Sequence, residues 1–179
     1  MKFDMMNLIM KRRSIRKFKE EKLSDEIIQK IVQAGLLAPT SKNKKSVEFI
    51  VVDDKDTILK LKDCRSMGTV GLETSPCAIV VFADSEKSDV WVEDASIAAS
   101  YIQLRAEDLG LGSVWIQMRN RTNENGSSEN EVRRVLNIPE KYGVLCIIAI
   151  GSRNENKNAY TENDVDKSRV HYGRVNSDL

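Results

Sequence analysis

A chain of 179 residues with 41% hydrophobic and 31% charged residues has the length and composition of one domain with a substantial core. Its 28 basic and 27 acidic residues leave a net charge of +1, so no overall positive field attracts nucleic acid. No apolar run is long enough to span a membrane, and no apolar leader follows the first residues. We therefore expect a single domain over residues 1–179 that binds neither nucleic acid nor a membrane.

The cysteine and histidine residues argue against several kinds of site. Cys64, Cys77 and Cys146 lie far apart, and their odd number does not suggest a disulfide framework. Cys77 and Cys146 fall within apolar runs, which is typical of small core residues. His171 is the one histidine, so we expect no metal site and no histidine-based catalysis. The cysteine pattern and the missing leader favour a cytoplasmic location.

The first half of the chain alternates between helical and strand patterns. Residues 25–37 place apolar side chains on one helical face, with Ser24 as the N-cap, and Pro39 marks the exit from this helix. Apolar runs then predict a strand, a short helix and a second strand, at 47–52, 58–61 and 77–83.

Residues 90–109 form the longest predicted helix, and Gly110 is its expected C-terminal cap. Apolar side chains cover much of its circumference, and many of them are alanines that would let a neighbouring backbone approach closely. The pattern alone leaves two interpretations open. The helix is either packed within the core of one chain or buried in a dimer interface.

The second half of the chain continues the alternation with shorter elements. A third strand, a polar loop, a short helix and a fourth strand are predicted at 113–118, 119–130, 131–136 and 144–150. From residue 152 to residue 179 apolar residues become sparse, so this tail cannot form a core of its own. The alternation predicts a layered α/β or α+β domain.

A basic segment from Lys11 to Phe18 precedes the first predicted helix. It carries three arginines, two lysines and a serine, and no apolar period runs through it. Planar guanidinium groups beside a hydroxyl suit a phosphate, whereas most charge runs are solvated faces. Taken alone, the segment fits the solvated face more readily, and both interpretations stay open.

The glycines at positions 110 and 112 do not form a dinucleotide-binding motif. Gly110-Leu111-Gly112 follows a helix and enters a strand, the reverse of the Rossmann arrangement, and the third glycine is absent.

Three segments read together are more informative. They are Arg12-Arg13-Ser14-Ile15-Arg16, the polar loop from Ala38 to Phe49, and the stretch from Gly110 to Ile116. In this order and spacing they resemble the nitroreductase family of FMN-dependent oxidoreductases. Three further segments agree with this resemblance: Val132 to Pro139, Ile150-Gly151 and Val170-His171-Tyr172. The resemblance extends over nearly the whole chain.

The resemblance implies an α+β fold, a three-layer α/β/α sandwich with a mixed, mainly antiparallel sheet. It also implies an intertwined homodimer with one FMN at each of two sites on the subunit interface. The long apolar helix would then be a central dimer element, and the tail over 152–179 would extend across the partner subunit.

The resemblance also assigns candidate roles to cofactor-binding residues. Arg12 and Ser14 match positions that bind the FMN phosphate, and Arg13 is expected to contribute to phosphate or ribityl contacts. Arg16 and Asn43 match positions at the pyrimidine side of the flavin. The remaining candidates are a second donor from the loop, two residues at the exit of the third strand, and two tail cations for a second phosphate contact: Lys45, Gln117, Met118, Lys157 and Arg169.

The implied activity passes hydride from NADH or NADPH through FMN to a small electron acceptor such as a nitroaromatic or a quinone, in a ping-pong mechanism. No catalytic side chain is required, because the cofactor carries the chemistry. Lys45-Ser46-Val47 stands where the family often has Gln-Pro-Trp. This departure motivates an alternative, a flavin-binding carrier, sensor or degenerate enzyme with little turnover.

Overall fold

The structure is a computed structural model, and it describes residues 4–175 of the 179. Six helices and six strands are found in this part of the chain. The helices are α1 (Met5–Lys11), α2 (Asp25–Leu36), α3 (Lys55–Asp63), α4 (Gly71–Thr74), α5 (Trp91–Asp108) and α6 (Ser128–Leu136). The strands are β1 (Val47–Val52), β2 (Cys77–Asp84), β3 (Gly112–Gln117), β4 (Thr122–Asn123), β5 (Gly126–Ser127) and β6 (Tyr142–Gly151).

Four strands form the central sheet in the order β1-β2-β6-β3, and every neighbouring pair is antiparallel. The start of β1 lies level with the end of β2 and the start of β6, since Val47 pairs with Ala83 and Ala83 with Gly143. A single parallel bridge joins Ser14 to Ser113 on the outer edge of β3. The prediction of a mixed, mainly antiparallel sheet is therefore confirmed.

Both faces of the sheet are covered by helices, because the buried strands are apolar on both sides. Ala78, Val80 and Phe82 of β2 pack into one core cluster with side chains of α3, α4 and α6. The alternate residues Ile79 and Val81 pack into a second cluster with α2 and α5. The predicted three-layer α/β/α sandwich follows directly from this alternation.

Helix α5 packs closely against α2 and the sheet. Four of its alanines are at most 1% exposed, and a Cβ built on Gly35 of α2 would meet Ile102 at 2.9 Å. The opposite side of α5 stays open, with Ile97 38% exposed and Tyr101 41% exposed. One side of α5 is thus core, and the other side is available for a partner.

Most predicted elements are confirmed within a residue or two. Helix α2 begins after Ser24, whose Oγ accepts from the Ile27 N–H at 3.4 Å. The prediction of an unbroken loop over 119–130 is wrong in part, because the segment contains the β4–β5 hairpin and the start of α6. Helix α1 was not predicted. It has seven residues, contains no buried residue, and begins after Asp4, whose carboxylate caps it.

All three cysteines are free and buried among the described residues. No helix within residues 4–175 is both long and apolar enough to cross a membrane.

Candidate functional site

The segment from Arg12 to Arg16 runs extended along the outer edge of β3. The Ile15 N–H donates to the Ser113 carbonyl at 3.0 Å, beside the Ser14–Ser113 bridge. Ile15 is fully buried, and a Cβ on Gly112 would approach it to 2.8 Å, so glycine is needed for this close packing. Because neighbouring side chains alternate in an extended segment, burying Ile15 directs Ser14 and Arg16 away from the core.

Arg12 and Arg16 keep their charges free within the part of the chain that the structure describes. Arg12 is half-buried, Arg16 is exposed, and neither forms an ion pair with any carboxylate among residues 4–175. The Arg16 guanidinium reaches only the Ser14 carbonyl, at 3.4 Å. The Arg12 guanidinium beside the Ser14 hydroxyl is a donor set that fits a phosphate, and Arg16 adds to the same segment a second cation without an ion-pair partner in residues 4–175.

Arg13 faces a different partner. Its guanidinium donates to the Asn158 carbonyl and lies over the Tyr160 ring, 4.3 Å from the ring centroid. The structure thus engages Arg13 with the tail, and the predicted phosphate or ribityl contact stays a prediction.

The first part of the tail is bound back onto this basic segment. The Asn154 N–H donates to the Lys17 carbonyl and the Tyr160 N–H to the Met10 carbonyl, both at 2.9 Å. Glu155 accepts from the Arg16 N–H and pairs with Lys157, whose Nζ lies 3.5 Å from Oε2 of Glu155. The Arg16 N–H is the main cause of the lowered pKa of the Glu155 carboxyl.

Lys157 is thus linked to the Arg16 backbone through Glu155, and its predicted phosphate contact stays a prediction. Arg169 lies in an exposed helical turn, Lys167–Arg169, and none of its described hydrogen bonds links it to the basic segment. Its predicted phosphate contact remains a prediction.

The outer edge of β3 is only partly covered. In an antiparallel edge strand every second residue points its backbone N–H and C=O outward. On β3 the outward-facing residues are Ser113, Trp115 and Gln117. The Ser113 carbonyl accepts from the Ile15 N–H, and the Gln117 carbonyl accepts from Arg65 Nη1 at 3.0 Å. The outward backbone groups at Trp115 lie between these two contacts.

Gln117 and Met118 differ in what they can offer a ligand. The Gln117 side chain accepts from Trp115 Nε1 at 2.9 Å and donates to the Arg119 carbonyl at 3.0 Å. The Met118 N–H donates to the Leu145 carbonyl and its carbonyl accepts from the Arg121 N–H, and its side chain is fully buried. Gln117 lies on the open edge as predicted, whereas both backbone groups of Met118 are engaged.

The loop with Asn43 and Lys45 is held in an unusual conformation. Lys42, Asn43 and Lys45 all have positive φ, at 49°, 53° and 48°, a region that non-glycine residues enter at a cost and that is enriched at functional sites. Asp94, only 3% exposed, holds the loop by accepting from the Ser41 N–H at 2.9 Å. A cavity of about 390 Å³ beside the loop is lined in part by Asn43, Lys45 and Ala98.

Within one chain, this loop lies far from the basic segment. The loop enters β1 at one end and one edge of the sheet, whereas Ser14 lies beyond β3 at the opposite edge and the opposite end. Four strand spacings of about 4.8 Å separate β1 from the basic segment, so the width alone is about 19 Å. A single FMN does not extend across this diagonal.

The surface formed by α1, α2 and α5 exposes large apolar side chains. Met6 is 60% exposed, Leu36 64% and Leu37 73%. A groove of about 500 Å³ on this surface is lined by Met5, Leu8, Ala34, Tyr101, Leu104, Arg105 and Asp108. Exposed apolar side chains of this size are often found where proteins bind one another.

Sequence reasoning missed two residues that shape the site. Asp94 follows Glu93 in the first turn of α5, where acidic residues are common, so its sequence position gave no sign of its contact with the loop. Arg65 stands alone in an irregular stretch, and its partner Gln117 is 52 positions away, so no local pattern identifies it.

The mostly apolar stretch from Met67 to Leu72 is divided between surface and core. Met67 is 77% exposed, whereas Leu72 is fully buried, and a Cβ on Gly71 would meet Val114 at 2.6 Å. Its C-terminal end is core, and its N-terminal end crosses the surface.

Comparison with known proteins agrees with this architecture. A family model described as "Nitroreductase family" matches residues 9–69 and 68–152. A candidate NADH dehydrogenase/NAD(P)H nitroreductase of Archaeoglobus fulgidus is 35% identical over 171 residues, which cover 93% of this chain and 95% of that protein.

Solved structures give the same result. An FMN-dependent nitroreductase of Clostridium difficile R20291 is 50% identical, with a TM-score of 0.93 over 95% of this chain and 99% of that one. The NADPH:FMN oxidoreductase of Vibrio harveyi, solved with NAD+, is 26% identical, with a TM-score of 0.81 over 96% of this chain and 78% of that one. The sequence, the sheet topology and these matches agree that the chain belongs to the nitroreductase family.

Proposed function

We propose that this protein is an FMN-dependent oxidoreductase that uses NADH or NADPH to reduce a small electron acceptor such as a nitroaromatic or a quinone. The observation that carries the proposal is the donor set on the open β3 edge, where two guanidiniums without ion-pair partners in residues 4–175 stand beside Ser14. The names of the relatives from Clostridium difficile and Vibrio harveyi support the cofactor and the donor.

The phosphate end of FMN is assigned to Arg12 and Ser14. A phosphate monoester carries close to two negative charges at neutral pH, and charge-assisted donors bind it best. Lys157 is the candidate for a second phosphate contact from the tail, since Glu155 links it to the basic segment. Arg13 contributes indirectly by binding the tail at Asn158 and Tyr160.

The ring end of FMN is assigned to the β3 edge and to Arg16. The outward backbone groups near Trp115 and Gln117 can donate to and accept from the edge of a flavin. Arg16 places a positive charge near the pyrimidine side, where negative charge develops on reduction. Met118 is left out of this assignment because both of its backbone groups are bound elsewhere.

Asn43 and Lys45 are assigned to the same FMN, but from a second copy of the chain. The diagonal separation within one chain supports this assignment, and so do the exposed apolar side chains of α1, α2 and α5. The tail from residue 156 to residue 175 is exposed throughout, which fits a segment that lies over a partner. We propose an intertwined homodimer with FMN at the interface.

FMN supplies the redox chemistry, taking hydride from NADH or NADPH and passing electrons to the acceptor in alternating steps. The protein binds the cofactor, sets its electrostatic environment and excludes water. We place this activity in the cytoplasm, a reducing compartment in which three free thiols per chain persist.

The test is the visible absorption spectrum of protein reconstituted with FMN and passed through gel filtration, followed by anaerobic addition of NADH or NADPH. Retained flavin that bleaches, and recovers its colour on addition of a nitroaromatic or a quinone, is the expected result. Retained flavin that stays oxidised with both donors would favour the carrier, sensor or degenerate enzyme. Protein that emerges without flavin would contradict the proposal.

A further inference from the structure

Arg65 follows α3 and closes the second end of the open β3 edge. Its Nη1 donates to the carbonyl of Gln117, the last residue of β3, at 3.0 Å. Ile15 binds Ser113 at the other end of the same edge. The outward groups of Trp115 lie between a main-chain contact and a charged side-chain contact.

The position of the Arg65 side chain is fixed by the fold around it. The Ser66 N–H and Oγ both reach the Thr122 carbonyl, at 3.2 and 3.3 Å, and Asn123 Nδ2 donates to the Asp63 carbonyl at 3.0 Å. Gly68, with a φ of +82°, packs so closely that a Cβ there would lie 3.1 Å from Arg65 Nη2. These contacts tie the turn after α3 to β4, and Gly68 packs against the Arg65 guanidinium.

The charge of Arg65 is not neutralised within residues 4–175. The side chain is half-buried and forms no ion pair with a described carboxylate. Burial is the first cause of its lowered pKa, and the nearby Arg121 guanidinium is the second. A partly desolvated cation beside another cation is costly unless a negative charge compensates it.

We propose that Arg65 is a positioning residue of the flavin site, holding the carbonyl of Gln117 so that the β3 edge presents its outward backbone groups, and adding a positive charge at that edge. This inference rests on the proposed function for its charge contribution. A positive charge at this edge favours the two-electron-reduced, more negative form of a flavin bound there.

The positioning role is tested first on FMN-free protein by amide hydrogen exchange. The Met118 and Arg119 N–H groups both donate to Leu145 at 3.0 Å, so their protection reports the geometry of the β3 exit. Loss of a hydrogen bond from a charged donor in Arg65→Met is expected to speed exchange at both amides about tenfold. Arg121→Gln is the matched control, since it removes the neighbouring cation, whose side chain bonds only to the Asn120 carbonyl. Exchange as slow in Arg65→Met as in Arg121→Gln would overturn the positioning role.

The charge contribution is tested on the FMN-loaded protein by its midpoint potential. Arg65→Met is expected to shift the potential to more negative values, and Arg65→Lys, which keeps the charge, is expected to restore most of it. Arg65→Gln replaces Arg65→Met in both comparisons if the latter does not fold. An unchanged potential in the neutral variant would overturn the charge contribution. Wild-type protein that retains no FMN would overturn the proposed function and this contribution with it, whereas the exchange experiment would still decide the positioning role.

Discussion

At the scale of single residues, the site depends on charges whose partners are not supplied by the described chain. Arg12 is the clearest case, because it is half-buried, lies beside Ser14 and has no carboxylate partner within residues 4–175. Leaving a guanidinium unpaired at a half-buried position is unfavourable in the absence of an anion. We therefore expect Arg12 to contribute more to ligand binding than to the stability of the fold.

The substitution Arg12→Gln is expected to weaken FMN binding by about tenfold to a hundredfold, the value of a charge-assisted hydrogen bond to phosphate. The dissociation constant of FMN, measured by quenching of flavin fluorescence, checks this. Lys19→Gln removes an exposed cation farther along the chain and is expected to leave binding unchanged. Equal losses in the two variants would indicate a general electrostatic effect and not a phosphate contact.

The cysteine thiols, unlike the Arg12 side chain, are not available to a ligand, since burial makes them unreactive. Burial raises the pKa of the Cys64 and Cys77 thiols to about 12 and raises that of Cys146 well above its usual value. Because the thiolate is the reactive form, the folded protein is expected to resist a disulfide reagent at pH 8. Three thiols per chain should react after denaturation. Rapid labelling of a folded-state cysteine would show that one of these side chains is more accessible than the structure indicates.

At the scale of elements, local signals account for the success and failure of the sequence predictions. Helix α2 was predictable because Ser24 caps it and its apolar residues repeat at helical spacing. The β4–β5 hairpin was not, because each of its strands has two residues and only Asn125-Gly126 signals a turn. The sequence predicted that β3 ends near Gln117 and Met118. It did not predict the hydrogen bond from Arg65 to the Gln117 carbonyl, because no local pattern encodes a contact between residues so far apart in the chain.

Helix α5 shows why one pattern supported two interpretations. Its alanines face the sheet and α2, whereas Ile97 and Tyr101 face outward. Apolar residues therefore lie both on the side of the helix that packs in the core and on the side that is exposed, and the sequence does not distinguish the two sides.

The substitution Ile97→Glu is expected to dissociate the proposed homodimer, because it places a charge in the centre of an apolar contact. Leu59→Glu on α3 is the matched control, since both side chains are 38% exposed but lie on opposite layers of the sandwich. Sedimentation velocity at micromolar concentration checks the prediction. If both variants sediment as the wild type does, α5 is not the interface.

At the scale of the whole molecule, the sheet separates the two groups of candidate cofactor residues. Arg12, Ser14 and Arg16 lie beyond β3, whereas Asn43 and Lys45 lie beside the start of β1. The sequence order of these segments was enough to indicate the family, but not their arrangement in space. That arrangement depends on strand order, which is set by long-range pairing and not by local propensity.

Another cavity offers a contrasting location for a ligand. It measures about 670 Å³ and is lined by charged and amide side chains of α3, α6 and the β4–β5 hairpin, among them Lys60, Glu131 and Arg134. Its three lining cations, Arg65 among them, are matched by three lining carboxylates, and Glu131 and Arg134 are paired with each other at 3.0 Å. It therefore fits a phosphate less well.

The most direct test of the account is a crystal structure of the protein grown with FMN. We expect the phosphate to contact Arg12 and Ser14 of one copy, the ring to lie along the β3 edge, and Asn43 of a second copy to reach the pyrimidine. FMN bound within one chain, in the cavity between α3 and α6 or elsewhere away from the β3 edge, would contradict the proposed site.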